Sequence, residues 1–249
     1  MKLCENAIAE LREFIQKRSQ DSDITETRHE SGGAKWPLGG RGNIVLSSDV
    51  GVELGNPRDE SVACIVWTEF QRSVKDGIIT VIGPDIPRSI GQSLPFGKVV
   101  LVQLKDFDPD NMYERYREME RIRYGLDLKG YMLRAVSQYQ REWSRVSMEA
   151  LNTGFTFKVL GGSLIDRFKE FEYVEAVEVV FVTTSSQHVR DIREISLSVQ
   201  RMVAAMYKMI EETSFDCEDC EYNDVCSEVS ELRKIKQIVR GREVNSGTT

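Results

Sequence analysis

The chain has 249 residues, 41% of them apolar and 8% aromatic, and carries a formal net charge of -7. That composition supports a sizeable buried core and excludes a disordered chain. It also argues against a general affinity for nucleic acid, which needs a concentrated basic footprint, and no run approaches the roughly 20 apolar residues that span a bilayer.

Residues Leu3 to Arg18 repeat apolar side chains at Leu3, Ala7, Ile8, Leu11, Phe14 and Ile15, the spacing of an amphipathic helix that needs a partner surface. The polar, glycine-bearing stretch "SQDSDITETRHESGGAK" follows and reads as a linker or loop, so residues 1–35 are expected as an N-terminal helix and linker. From Asn43 to Leu104 the pattern shifts to short β-branched runs, "NIVLS", "VGVEL", "VACIVW", "GIITVIG" and "KVVLVQL". Turn-forming Gly, Pro, Asn and Asp separate them, which predicts strands. "GGRG" from Gly39 could bring backbone close to a phosphate, although a simple turn explains it as well. Beyond Pro109 helical spacing dominates, interrupted by "FTFKVLG" and by "YVEAVEVVFVTT", which is long and apolar enough for a central strand.

Strands first and helices later predict an α+β fold. A mixed or antiparallel sheet from the first half would pack against long helices from the second, in one domain over residues 36–214. Residues 215–249 are expected to form a cysteine-bearing, helical C-terminal tail.

At about 100° per residue, Leu128, Met132, Val136, Tyr139, Trp143, Val146 and Ala150 fall within an arc of roughly 80°, which predicts a helix with Trp143 in its core stripe. On the same geometry Arg134, Arg141 and Arg145 cluster on the opposite face. They form either a solvated charged face or an anion site for phosphate or carboxylate. A later helix from Ser186 to about Thr213 carries Val189, Ile192, Ile195, Val199, Met202, Met206 and Met209 on one side, with the methionines as core filling.

"DCEDCEYNDVC" places Cys217, Cys220 and Cys226 within eleven residues of a chain with five cysteines. The start "MKLCENAIAELREF" lacks the pattern of a secretory signal, so a reducing cytoplasm is expected, where clustered cysteines more often ligate metal than form bridges. Asp216, Glu218, Asp219, Glu221, Asp224 and Glu228 surround them. That negative field disfavours a low-pKa nucleophilic thiolate and suits a bound cation. Three local ligands fall one short of a tetrahedral zinc site or an iron-sulfur cluster. The fourth could come from Cys4, Cys64, His29, His188 or outside the chain. Cys64 sits in an apolar run, as a buried structural thiol would, and Cys4 is expected to be more mobile. Phosphate-binding loops of the Walker type, paired helical histidines and serine elbows are absent from the sequence.

"VGVELGNP", "VKDGIITVIGPDI", "LPFGKVVLV" and "QREWSRVSMEALNTGFTFKVLGGSLIDRFKEFEYVEAVEVVFVTT" together resemble the middle domain of the acetyl-CoA synthase component of the carbon monoxide dehydrogenase/acetyl-CoA synthase system, its β subunit in archaea. The resemblance covers roughly Val50 to Thr184, with the cysteine segment after it. It implies that Cys217, Cys220 and Cys226 correspond to the start of the motif that holds the family's nickel and iron-sulfur cluster. The family's fourth cysteine and its nickel-binding Cys-Gly-Cys element have no counterpart in these 249 residues. It further implies that Arg141 and Arg145, with Arg134 beside them, attract the anionic CoA.

The expected protein is thus a stand-alone relative of that β subunit, a metal-binding or CoA-binding accessory whose cofactor is an iron-sulfur cluster or zinc. Its expected partners are carbon monoxide dehydrogenase, a corrinoid protein or a second copy of itself. Two alternatives stand beside this: an active subunit completed by a partner chain, and a structural module pinned by zinc.

Overall fold

A computed structural model describes residues 2–211 apart from 21, 31, 33–34, 88–90, 107–110 and 138–139, together with 222 and 225. In chain order its elements are α1 (Lys2–Arg18), β1 (Ile24–Arg28), β2 (Val50–Leu54), β3 (Ser61–Thr68), β4 (Ile78–Ile82), β5 (Gln92–Leu94), β6 (Phe96–Leu104), α2 (Met112–Gly125), β7 (Tyr131–Val136), β8 (Glu142–Ser147), α3 (Met148–Asn152), α4 (Phe157–Phe168), β9 (Val174–Val182) and α5 (Ser186–Glu211). The fold is α+β, with two mixed sheets.

The larger sheet has the order β1-β4-β9-β6-β3. Its β4–β9 and β6–β3 pairs are parallel, while β1–β4 and β6–β9 are antiparallel. As expected from its apolar run, β9 is the central strand. Every residue of β3 and β6 is buried, as is every residue of β9 except Glu175, so both faces of the sheet must be covered. Alternation along β9 shows what covers them. Glu178 points to one face, where Arg12 of α1 reaches it at 2.5 Å; Phe181 points to the other, where Phe157 of α4 stacks on it at 4.6 Å. On the Phe181 side Trp67 of β3 packs on Tyr116 of α2 at 5.2 Å. The result is a layer of α1 with α5, the sheet, and a layer of α2 with α4.

α1 follows its amphipathic pattern, burying Cys4, Ala7, Ile8, Leu11 and Phe14, and its Glu5 and Lys17–Arg18 suit the two ends of the helix dipole. In α5, Val189, Ile192, Val199, Met202 and Met206 are buried, so the methionines whose side chains are described do fill the core. Cys4 is fully buried, against the expectation of a more mobile thiol, because it opens the apolar stripe of α1.

The smaller sheet has the order β5-β2-β8-β7 and is fixed to the edge of the larger one. Ser61 Oγ of β3 donates to the Glu142 carbonyl at 2.5 Å and accepts from the Glu142 N–H at 2.9 Å. The Ala63 N–H donates to the Gln140 carbonyl at 2.7 Å. The hairpin carrying β8 thereby satisfies backbone groups at the otherwise open edge of β3.

Four local expectations are corrected. The stretch read as a linker contains β1, an edge strand whose exposed Thr25, Glu26 and Arg28 hid it from a hydrophobicity reading. "NIVLS" forms no strand; Ile44 and Leu46 are exposed on either side of buried Val45. Leu128–Ala150 is not one helix but the hairpin β7–β8 followed by α3, which Ser147 caps by accepting from the Ala150 N–H at 3.1 Å. "FTFKVLG" opens α4 instead of forming a strand.

Candidate functional site

The hairpin β7–β8 carries the three arginines singled out in the sequence, and its two faces differ in chemistry. On the inner face Glu142, fully buried, meets Lys98 of β6, with Nζ 2.5 and 2.6 Å from the two carboxylate oxygens. Arg123 of α2 approaches the same region and donates to the Ala63 carbonyl at 3.1 Å. Burial pulls the Lys98 pKa down, and Glu142 opposes that fall. Burial also works against charge on Arg123, yet the carboxylates of Glu142 and Glu120 hold its pKa above the ordinary value. The Cys64 thiol next to these groups is pushed up to about 12, mainly by burial. It is the inert structural thiol expected from the sequence.

On the outer face the period of two aligns Arg141, Trp143 and Arg145. The Arg145 guanidinium carbon lies 5.3 Å from the centre of the Trp143 ring, and that of Arg134, from β7, lies 5.6 Å from it. A guanidinium at this distance from an indole is attracted by the ring quadrupole and stays partly desolvated. Trp143 is therefore not a core residue; it is half-buried beneath two cations. Its Nε1 is shielded and has no hydrogen-bond partner among the described residues.

The arginines differ in how many donors they have left. Arg134 is exposed and makes no hydrogen bond or ion pair with another described residue. Arg145 uses Nε, 2.8 Å from Glu53 Oε1, and its two Nη atoms have no partner among the described residues. Arg141 donates an Nη2 bond to the Asp59 carbonyl, so part of it is committed to anchoring the hairpin. The structure thus gathers Arg134 and Arg145 on one indole and sets Arg141 at the end of the same row. Two guanidiniums with unspent donors over one ring can bind a phosphate or carboxylate bidentately.

The remaining sequence candidates divide clearly. At "GGRG" the Gly39 and Gly40 N–H groups both donate to Asp127 Oδ1 at 3.0 Å, so the protein's own carboxylate fills that backbone nest. His29 Nε2 lies 2.8 Å from Asp166 Oδ1, and His188 bridges Thr184 Oγ1 and Arg18 Nη1 at 2.6 Å each. Both histidines are thus engaged within the fold. Cys217, Cys220 and Cys226 lie outside the described residues. Among the described residues, no group of three His, Cys, Asp or Glu is placed to hold a metal ion, and no helix is long and apolar enough to cross a membrane.

Sequence reasoning passed over Glu53, Lys98 and Glu142. The available signal was a lone charge inside each apolar run, Glu53 in "VGVEL" and Lys98 in "FGKVVLV".

Residues 39–189, more than half of the chain and including both sheets except β1, match the family model described as CO dehydrogenase/acetyl-CoA synthase complex beta subunit. The chain belongs to that family. It is 32% identical over 160 residues to carbon monoxide dehydrogenase/acetyl-CoA synthase subunit alpha of Moorella thermoacetica, an alignment covering 62% of this chain and 21% of that protein. It is 31% identical over 146 residues to acetyl-CoA decarbonylase/synthase complex subunit beta of Methanothermobacter thermautotrophicus, covering 57% of this chain and 30% of the relative. The chain therefore spans less than a third of the length of either relative. The family match includes the whole β7–β8 hairpin, with Arg134, Arg141, Trp143 and Arg145.

Proposed function

We propose that this acetyl-CoA synthase β-subunit relative is a CoA-binding component of carbon monoxide/acetyl-CoA metabolism. The observation that carries the reading is the convergence of Arg134 and Arg145 on Trp143 with donors unspent. CoA carries its charge on phosphates, which suit planar guanidinium donors better than point-like ammonium groups. Holding both arginines against one ring reduces the conformational freedom lost when the anion arrives. Calorimetric titration of CoA at low ionic strength tests this. An Arg134→Ala, Arg145→Ala variant should lose about 1.5 to 3 kcal/mol per removed contact, a drop of about tenfold to a hundredfold for each. Arg141→Ala should cost less affinity, because Arg141 is partly held by Asp59. Equal affinity of wild type and double variant, or no wild-type binding, overturns the reading.

The second part of the proposal concerns Cys217, Cys220 and Cys226 as ligands of an iron-sulfur cluster or zinc. Its support is their spacing and the acidic residues around them. Of the other possible ligands in the chain, Cys4 and Cys64 are buried and His29 and His188 are hydrogen-bonded within the fold. The fourth ligand is accordingly proposed to come from outside these 249 residues. Carbon monoxide dehydrogenase, a corrinoid protein or a second copy of the chain are the proposed partners, and the isolated chain is expected not to synthesise acetyl-CoA. Anaerobic purification with metal analysis and an optical spectrum checks the site. Metal-free protein whose three thiols are all freely alkylated in the folded state would reject it. Turnover of CO, a methyl donor and CoA by the purified chain alone, reconstituted with nickel and iron, would reject the expected inactivity.

A further inference from the structure

Glu53 lies in "VGVELGNP", a segment to which the CoA reading assigns no role. On β2 it sits directly opposite Arg145 of β8 in the antiparallel register. Glu53 Oε1 accepts the Arg145 Nε–H at 2.8 Å, and Glu53 Oε2 accepts from Asn56 Nδ2. Asn56 is fixed in turn, its Oδ1 accepting the Arg58 N–H at 3.0 Å. Between them Gly55 takes φ +65°, where a side chain would be strained, and an added Cβ would stand 2.3 Å from the Glu142 carbonyl. The turn after β2 therefore requires glycine at position 55, and both oxygens of Glu53 are engaged. The pair is largely sheltered, with side-chain exposures of 12% for Arg145 and 16% for Glu53.

We infer that Glu53, braced by Asn56, is a positioning residue that fixes the Arg145 guanidinium over Trp143 with its two Nη donors turned free for an anion; the inference rests on the CoA reading of that face. The single bond at Nε is what makes this arrangement useful. A carboxylate gripping both Nη atoms would compete with the ligand, whereas one held at Nε sets the plane of the fork and leaves its tip open. An arginine already immobilised loses less freedom when it binds. Glu53 is also a negative charge near an incoming polyanion, an opposing effect that salt screens. At near-physiological ionic strength the orienting effect prevails.

The two roles separate on a pair of variants. Gln at position 53 keeps an oxygen acceptor for Nε–H and removes the charge; Ala removes both. In titrations of CoA at about 0.15 M ionic strength, Glu53→Gln should bind within about twofold of wild type and Glu53→Ala about tenfold more weakly, equivalent to about 1.4 kcal/mol. In an Arg145→Ala background, Glu53→Ala should bring no further weakening. A role in charge alone makes both variants bind tighter, and Glu53→Ala binding as tightly as Glu53→Gln overturns the inference.

Nuclear magnetic resonance of the Arg145 Nε–H group reads the positioning without any ligand. Its signal should be protected from exchange in wild type and Glu53→Gln, and lost in Glu53→Ala while the backbone amide spectrum stays folded. An unchanged Nε–H signal in Glu53→Ala overturns the inference whether or not CoA binds. If that signal is lost but wild type does not bind CoA, the positioning stands and the CoA reading falls.

Discussion

Two neighbours on β8 face opposite ways and have opposite uses. Glu142 points inward to Lys98, which answers both of its carboxylate oxygens, and Arg123 nearby donates to the Ala63 carbonyl. Trp143 points outward beneath Arg134 and Arg145, whose guanidiniums retain donors that no described residue accepts. The difference teaches where to look for recognition in a strongly charged chain. Buried charges here are paired because leaving them unpaired is prohibitive, while the exposed Arg134 and the remaining Nη donors of Arg145 can stay unanswered because water still reaches them. Donors left unspent beside one indole mark a surface that can take an anion.

The sharpest way to break this contrast is to remove one inner partner. Lys98→Met strands the Glu142 carboxylate and should cost about 3 to 5 kcal/mol, whereas a Lys98→Met, Glu142→Met double variant should recover most of that loss. Denaturant midpoints decide it, and a single variant within about 0.5 kcal/mol of wild type would show that the inner pair is not a buried pair in solution.

The inner region should also reveal itself in alkali. The folded pKa of Cys64 is raised from 9.0 to about 12. Folding therefore holds a proton that the unfolded chain releases, and this contribution is fully present below pH 9 and lost as the pH rises towards about 12. Stability should fall over that window by up to about 1.4 kcal/mol per pH unit from this group. Tyr131 and Tyr116, whose pKa values burial raises, act in the same direction. A Cys64→Ala variant should show a shallower slope between pH 9 and 12, and identical slopes would refute the assignment to Cys64. The smallest effect belongs to the outer face: Arg134→Ala should leave the midpoint within about 0.5 kcal/mol of wild type, even though its loss is expected to weaken CoA binding.

The same contrast explains what could be read from the sequence. α1, β2, β3, β4, β6, β9 and α5 were legible because apolar residues mark their buried positions. The β7–β8 hairpin was not. Along "EWSRVS" the inward positions are Glu142, Ser144 and Val146, two of the three polar, and the large apolar ring of Trp143 faces out, which blurs the usual alternation of a half-buried strand. With that signal blurred, Leu128, Met132, Trp143 and Val146 happen to fit a period of 3.6, and the helical reading follows. The arginines were nonetheless grouped correctly in space for Arg134 and Arg145, since both geometries bring them to one side. Glu53 escaped notice because its role depends on a partner 92 residues away, and no local pattern encodes that distance.

The strand order of the larger sheet carries a consequence for synthesis on the ribosome. β9 sits at the centre between β4 and β6, yet it is the last strand of that sheet in the chain. Until it emerges, the pairs β1–β4 and β3–β6 can form only as two separate pieces, each presenting an open apolar edge. At about 5 to 20 residues per second the nascent chain must carry those edges for several seconds before the sheet can close. Such unpaired edges invite intermolecular pairing until β9 itself closes them.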